Sequence, residues 1–229
     1  MWSISELKQR GKAAFKNNYW RCVVVGLILS SLAAGSTMTG STGSVKNFDA
    51  SKYDNETLIA IVAFVASIIL IFAVVFTLVR ILLLNPIEIG CQTFLKENIN
   101  EKAGLDRLTA AFGDYKRSVI TLFLRDLYLA LWFCLIIPGF VKSYSYKMVP
   151  FIMADEPDLS PNEVITKSRQ MMNGHKWRAF VMELSFIGWI LLALFTCGLV
   201  GVFYTNPYMY STTAALYLEL RDKNTAEAQ

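Results

Sequence analysis

Six runs of mainly apolar residues alternate along the chain with segments that hold most of the charges. Between Leu58 and Leu84 the only charged residue is Arg80, and between Ala179 and Asn206 it is Glu183. About 20 apolar residues in a helix span roughly 30 Å of hydrocarbon, so these runs predict transmembrane helices rather than helices of a soluble core. The predicted spans are residues 22–34, 58–84, 119–137, 140–154, 179–204 and 207–220.

The positions of Lys and Arg predict the topology of these spans. Of the 22 basic residues, 16 lie in four clusters, at residues 8–21, 96–117, 167–178 and 221–223. Basic residues favour the cytoplasmic side of a membrane, so all four clusters are expected there, with an even number of spans between consecutive clusters. The fourth and sixth spans are short, and the charges rather than their own hydropathy predict them.

The expected fold is therefore all-α, a polytopic membrane protein whose six transmembrane helices form three helical hairpins with both termini in the cytoplasm. The polar segment 35–56 is expected to be an external loop. Pro138-Gly139 and Asn206-Pro207 are expected at the other two outer turns, because proline and glycine commonly separate two helices.

A weak internal repeat is visible when the sequence is shifted by 157 residues. Ser3 and Glu6 then align with Ser160 and Glu163, and both pairs predict a capping box at the start of an amphipathic helix. In each copy a Trp-Arg pair follows, and then a span. A weaker third copy lies between these two. The expected units are residues 3–98, 104–155 and 160–221, which together form one integral membrane domain, 1–229. Each unit is expected to begin with a cytoplasmic helix at the membrane interface.

Composition narrows the class of protein further. The chain is 54% hydrophobic and only 17% charged, and its net charge of +4 is too small to indicate nucleic-acid binding. The four cysteines are far apart and His175 is the only histidine, so neither a disulfide framework nor a zinc site is expected, and no cofactor is predicted. No common nucleophile, metalloprotease or phosphate-loop motif occurs, and no enzymatic activity is expected.

Several motifs resemble a known family. They include Ile136-Ile137-Pro138-Gly139, Met148-Val149-Pro150-Phe151-Ile152, Gly174-His175-Lys176-Trp177-Arg178, Leu184-Ser185-Phe186-Ile187-Gly188-Trp189 and Asn206-Pro207-Tyr208. Together they resemble a bacterial integral-membrane family known as domain of unknown function 975. The resemblance implies a multi-pass protein of the cell membrane, found mostly in Gram-positive bacteria, and implies no particular activity.

Five charged residues within the predicted spans form a candidate polar layer. At about 1.5 Å per residue they all lie near the cytoplasmic surface, and they are Arg80, Arg125, Asp126, Lys147 and Glu183. One interpretation is a set of ion pairs between helices, in which Arg125 and Asp126, as sequence neighbours, are not expected to pair with each other. The other is a polar pocket or half-channel open to the cytoplasm.

A second group of residues is expected to contact lipid at the membrane interface, with anionic headgroups as ligands: Trp20, Arg21, His175, Lys176, Trp177 and Arg178. The sequence therefore favours a non-enzymatic membrane protein that binds lipids, membrane protein partners or a second copy of itself. The alternative is a small transporter or channel with its polar layer near the cytoplasmic face.

Overall fold

The computed structural model describes residues 2–34 and 55–227, and within them it contains helices and no strand. The α-helices are α1 (Ile4–Asn17), α2 (Tyr19–Ala34), α3 (Asn55–Val79), α4 (Asn85–Asn100), α5 (Tyr115–Phe133), α6 (Ile136–Ser145), α7 (Val149–Asp155), α8 (Pro161–Met171), α9 (Lys176–Leu184), α10 (Ile187–Phe195) and α11 (Asn206–Glu227). A 3₁₀ helix covers Leu105–Phe112. The all-α prediction is confirmed for these residues. Most of the predicted loop 35–56 lies outside them.

Among the residues that the structure describes, two helical stretches are long and apolar enough to cross a membrane. One runs for 42 residues from Ile59 to Asn100, and the other for 20 residues from Lys176 to Phe195. Tyr19–Leu32 is apolar but shorter. The predicted fourth span is divided by a turn at residues 146–148, between α6 and α7. Six crossings therefore stay a prediction.

Both turns that the sequence places at proline lie a few residues earlier in the structure. The chain reverses at Cys134-Leu135, and Pro138-Gly139 lies inside the first turns of α6. It reverses again at residues 196–198, where Cys197 and Gly198 have φ of 48° and 87°, whereas Asn206-Pro207 begins α11. The prediction was wrong because proline is tolerated in the first turn of a helix, so here it marks where a helix starts.

Three helices that begin with proline form the centre of the molecule. They are α4 with Pro86, α7 with Pro150 and α11 with Pro207. Helix α4 packs against both α7 and α11, and the ring of Phe151 in α7 stacks on Tyr217 in α11 with centroids 4.9 Å apart. Both rings are buried. The core is thus built around these helices, with buried side chains also from α1, α2, α8 and α9, and with none from the described part of the long apolar helix α3.

Each of these central helices is also covered by an amphipathic helix. Helix α1 packs on α11, the 3₁₀ helix packs on α4, and α8 packs on α7. Glycine permits the first two approaches. A Cβ at Gly11 would lie 2.6 Å from the Thr212 hydroxyl oxygen, and a Cβ at Gly90 would clash with the Leu108 carbonyl. The division into three sequence units stays a prediction.

Two long helices pass through a wide π-helical turn just before an Asn-Pro pair. The first turn, Arg80–Leu84, joins α3 to α4, and the second, Gly201–Thr205, precedes α11. In each, the backbone N–H of the asparagine donates to the carbonyl five residues back, so Asn85 donates to Arg80 and Asn206 to Gly201. Pro86 and Pro207 lack a backbone N–H, yet both helices continue past them without interruption.

Of the two predicted capping boxes, one is present and the other is not. At α8 the box is present, and the Glu163 carboxylate accepts a hydrogen bond of 2.7 Å from the Ser160 backbone N–H. At α1 the prediction was wrong, since Ser3 occupies the cap position but its side chain makes no capping hydrogen bond. The start of α1 is held instead by Trp2, which is buried and whose carbonyl accepts a hydrogen bond from Arg178.

Replacing Gly11 or Gly90 with alanine is expected to lower the melting temperature of the protein in detergent. The added methyl group must push α1 away from α11, or α4 away from the 3₁₀ helix, and overpacking of this kind typically costs about 1–3 kcal/mol. Gly188→Ala is the matched control, because a Cβ there meets no atom within 4 Å and alanine favours a helix. An equal loss of stability in all three variants would contradict the close packing.

Candidate functional site

The candidate polar layer separates into two groups on different helices. In the first, the Arg125 guanidinium of α5 donates to both carboxylate oxygens of Glu88 in α4, at 2.6 and 3.2 Å. The same guanidinium contacts Asp126 at 2.8 Å. Arg125 is only 8% exposed, and its charge is balanced by these two carboxylates, as a largely buried cation requires.

The expectation that Arg125 and Asp126 do not pair with each other was wrong. The Arg125 Nε–H donates to an Asp126 carboxylate oxygen at 2.9 Å. Neighbouring positions point in different directions around a helix, but a guanidinium lies at the end of a long side chain and carries five N–H groups. It can therefore bind Glu88 with one edge and reach back to Asp126 with another.

The second group lies where α6 and α7 meet α9. Lys147, in the turn between α6 and α7, forms an ion pair with Glu183 of α9. The other Glu183 carboxylate oxygen accepts a hydrogen bond of 2.5 Å from the Tyr144 hydroxyl of α6. This pairing joins two residues of the predicted layer, and together with the first group it favours the ion-paired interpretation.

Arg80 completes the first group at the edge of a cavity. The cavity has a volume of about 240 Å³, and its lining is Leu29, Leu32, Arg80, Glu88, Gln92, Arg125 and Tyr210. The side-chain oxygen of Gln92 is buried there without a hydrogen-bond partner among the described residues. A cavity beside charged groups is the feature that the pocket interpretation requires. At this site the ion pairs of Arg125 support the first interpretation and the cavity supports the second.

Sequence reasoning missed Glu88, the main partner of Arg125. The predicted second span ends at Leu84, so Glu88 lies outside the predicted spans and is not among the residues of the predicted layer. In the structure the helix continues through the π-helical turn into α4, and Glu88 lies in the first turn of α4. The signal that could have found it is the Asn-Pro pair at residues 85–86, which marks a helix start.

A second network that the sequence did not predict joins the three central helices. Asp155, at the end of α7, forms ion pairs with Lys96 of α4 and with Arg221 of α11. It also accepts a hydrogen bond of 2.7 Å from the Tyr217 hydroxyl. Burial acts to raise the pKa of Asp155, but the hydrogen bonds from Lys96, Tyr217 and Arg221 outweigh it, and the net shift of this pKa is downward.

The six residues expected to contact lipid have different environments. Trp20 and Trp177 are 70% and 72% exposed, as an interface anchor requires. The other side chains, apart from that of Lys176, are bound within the protein. Arg21 donates to the Ala103 carbonyl at 2.9 Å, His175 accepts from the Trp2 indole at 3.3 Å, and Arg178 lies 4.5 Å over the Trp2 ring. Lys176 lines an open groove.

Comparison with known protein families gives a match to the C-terminal half of the chain. Residues 115–224 match the family described as protein of unknown function DUF975. The resemblance seen in the sequence is thereby confirmed over this segment. The DUF975 segment runs from α5 into α11 and contains both Arg125 and the pair of Lys147 with Glu183, while Glu88 lies before it. Comparisons with curated proteins and with solved structures found no match.

The contacts of Arg125 predict unequal effects of removing its two carboxylates. Glu88→Gln should lower the melting temperature markedly, because breaking a buried ion pair typically costs about 3–5 kcal/mol. Asp126→Asn should have a smaller effect, since Asp126 is the more exposed partner and Glu88 keeps two hydrogen bonds to Arg125. Thermal unfolding in detergent measures both.

The double variant Glu88→Gln/Arg125→Met should recover part of the stability lost by Glu88→Gln alone, because it removes the uncompensated charge. Unchanged melting of Glu88→Gln would refute the ion-paired interpretation and favour a water-filled pocket.

Asp155→Asn is expected to lower the melting temperature near neutral pH and to change its dependence on acid. The pKa of Asp155 is lowered in the folded protein, so its stabilisation is present above the ordinary carboxyl pKa of about 3.9 and is lost as the pH falls through the lower folded value. The difference between wild type and variant should thus shrink below about pH 4. Asp158→Asn, at an exposed position, is the control; a constant difference at all pH values would contradict the role of the charge.

Proposed function

We propose that this chain is a non-enzymatic, multi-pass protein of the bacterial cell membrane that binds lipids or membrane protein partners. The observation that carries the proposal is the exposure of α3. All 25 of its residues except Glu56 are uncharged, and large side chains such as Phe64 and Phe72 are 68% and 71% exposed. Contiguous apolar surface of this extent is unfavourable in water, and lipid or an apolar partner would cover it.

The positions of exposed aromatic and basic residues support the same proposal. Trp20 and Trp177 are exposed next to Arg21 and Arg178, at the beginning of apolar helices. Tryptophan at such positions is typical of the boundary between headgroups and hydrocarbon. In the proposed topology both termini and the segments 96–116 and 160–178 are cytoplasmic, and six spans form three hairpins.

The reversals of the chain also support a hairpin arrangement. Helices α5 and α6 pack against each other on either side of the turn at Cys134-Leu135, where Phe133 and Phe140 make an edge-to-face contact of 5.8 Å. Gly139 allows this approach, because a Cβ there would lie 2.7 Å from the Phe133 ring. The turn therefore joins two closely packed helices, as a hairpin within a membrane requires.

One observation favours the alternative of a small transporter or channel. The cavity beside Arg80, Glu88 and Arg125 contains the unpartnered oxygen of Gln92, which could bind a water molecule or a cation. The charged residues of this group, however, already neutralise one another through direct contacts. For this reason we favour a binding role over transport.

Labelling of single cysteines in intact cells tests the proposed topology. The background is Cys134→Ser/Cys197→Ser, because those two thiols are exposed while Cys22 and Cys91 are buried. An impermeant maleimide should label Ser41→Cys in intact cells and Asn162→Cys only after permeabilisation, since positive-inside placement puts 160–178 in the cytoplasm. Labelling of Asn162→Cys but not of Ser41→Cys before permeabilisation would overturn the topology.

A further inference from the structure

Three basic residues line one open groove formed by α6, α8 and the start of α9. The groove has a volume of about 330 Å³, and its lining is Lys142, Ser145, Thr166, Arg169, Gln170, Asn173 and Lys176. No carboxylate is among these residues. The side chains of Thr166, Gln170 and Asn173 can donate hydrogen bonds, whereas the Ser145 hydroxyl already donates to the Val141 carbonyl. The groove therefore offers positive charge and donors together.

The three cations of this groove lie close together, and within the described residues none of them forms an ion pair with a carboxylate. Since Lys142, Arg169 and Lys176 line the same groove, their like charges repel each other. The neighbouring Lys167, by contrast, pairs with Glu156 at 2.6 Å. An anion bound between the three would replace this repulsion with attraction.

The groove continues into a second cavity whose wall includes three aromatic side chains. This cavity, of about 460 Å³, shares Lys142, Thr166 and Arg169 with the first and adds Tyr128, Trp132, Tyr146, Asn162 and Ile165. The Lys142 ammonium lies 4.5 Å over the Trp132 ring and so stands between the two parts. A ligand that filled both would have an anionic group at the cations and a second part that packs against the aromatic rings.

The groove also lies where an apolar helix begins. Lys176 is the first residue of the 20-residue stretch that is long enough to cross a membrane, and the next residue, Trp177, is largely exposed. In the proposed topology Arg169 and Lys176 lie at the level of the cytoplasmic headgroups, where phosphate is abundant. Lys142 lines the same groove, so the groove requires that α6 also lies near this surface, whereas the six-span arrangement has residue 142 near the outer end of the fourth span.

We propose that the groove binds a phosphate group, carried by an anionic phospholipid, through Lys142, Arg169 and Lys176. Arginine suits this ligand because its planar guanidinium can donate two parallel hydrogen bonds to phosphate, while the two lysines add point charges. The site rests on the proposed membrane function only for its position at the bilayer surface. Free phosphate offers the same chemistry and must be distinguished by experiment.

The test uses the full chain purified in a neutral detergent. Its melting temperature is measured with increasing short-chain phosphatidylglycerol, short-chain phosphatidylcholine or inorganic phosphate, because a ligand of the folded state raises this temperature in a saturable manner. We expect saturable stabilisation by phosphatidylglycerol alone. In Arg169→Gln/Lys176→Gln the half-saturating concentration should rise about tenfold or more. Lys12→Gln/Lys16→Gln removes the same charge from exposed positions of α1 and should change it by less than about twofold.

Each outcome bears on the proposal. Equal binding by wild type and Arg169→Gln/Lys176→Gln would overturn the site. A saturable effect of inorganic phosphate equal to that of the lipid, lost in the same variant, would support the phosphate site and overturn the lipid as its source. Without ligand, the double variant should melt at the wild-type temperature or above it, because repulsion has been removed; a lower value would contradict the argument.

The cysteine labelling described above tests the topology separately. A chain that is labelled as expected but binds phosphatidylglycerol equally well with and without the two cations would refute the groove and leave the proposed membrane function intact. Conversely, the labelling could contradict the topology while Arg169→Gln/Lys176→Gln loses the binding of phosphate. That result would support the groove and refute the proposed topology.

Discussion

The carboxylate of Asp155 joins the three helices on which the rest of the molecule is packed. It ends α7 and receives Lys96 from α4, and both Tyr217 and Arg221 from α11. Apolar packing alone, as between Phe151 and Tyr217, has no directional preference, but a carboxylate bound by three donors fixes how far each helix extends relative to the others. Because α1, α8 and the 3₁₀ helix pack on these central helices, their positions depend on the same contact.

Hydropathy predicted that helices would form but not which of them form the core. Helix α3 is the most apolar long segment and is largely exposed, whereas α11 is less apolar and is almost entirely buried between residues 211 and 218. In a membrane, lipid surrounds exposed apolar side chains. The mean hydropathy of a helix therefore does not predict how deeply that helix is buried within the protein. Small and hydroxyl-bearing residues, such as Ser211, Thr212 and Ala214, indicate the packed helix better.

The candidate site was predictable where opposite charges lay on separate helices at one depth. Lys147 and Glu183 meet that condition and form a pair. The sequence could not show that Glu88 belongs to the same site as Arg125, because the predicted end of the span excluded it. Nor could it show that Ser3 lacks the capping contact that Ser160 makes, since the same motif occurs at both positions and the difference lies in the packing of Trp2 against Arg178.

Because of the wide turn at Arg80–Leu84, the exact number of residues between α3 and α4 matters, and not only their hydropathy. A π-helical turn contains one more residue than an α-helical turn, so it rotates everything after it by about 100° relative to an uninterrupted α-helix. It thus sets the angle between the exposed face of α3 and the face of α4 that carries Glu88. Shortening the segment by one residue would leave the composition of both helices almost unchanged, yet turn the Glu88 carboxylate away from Arg125. The pairing of these two residues therefore depends on the register of the helix as well as on residue type.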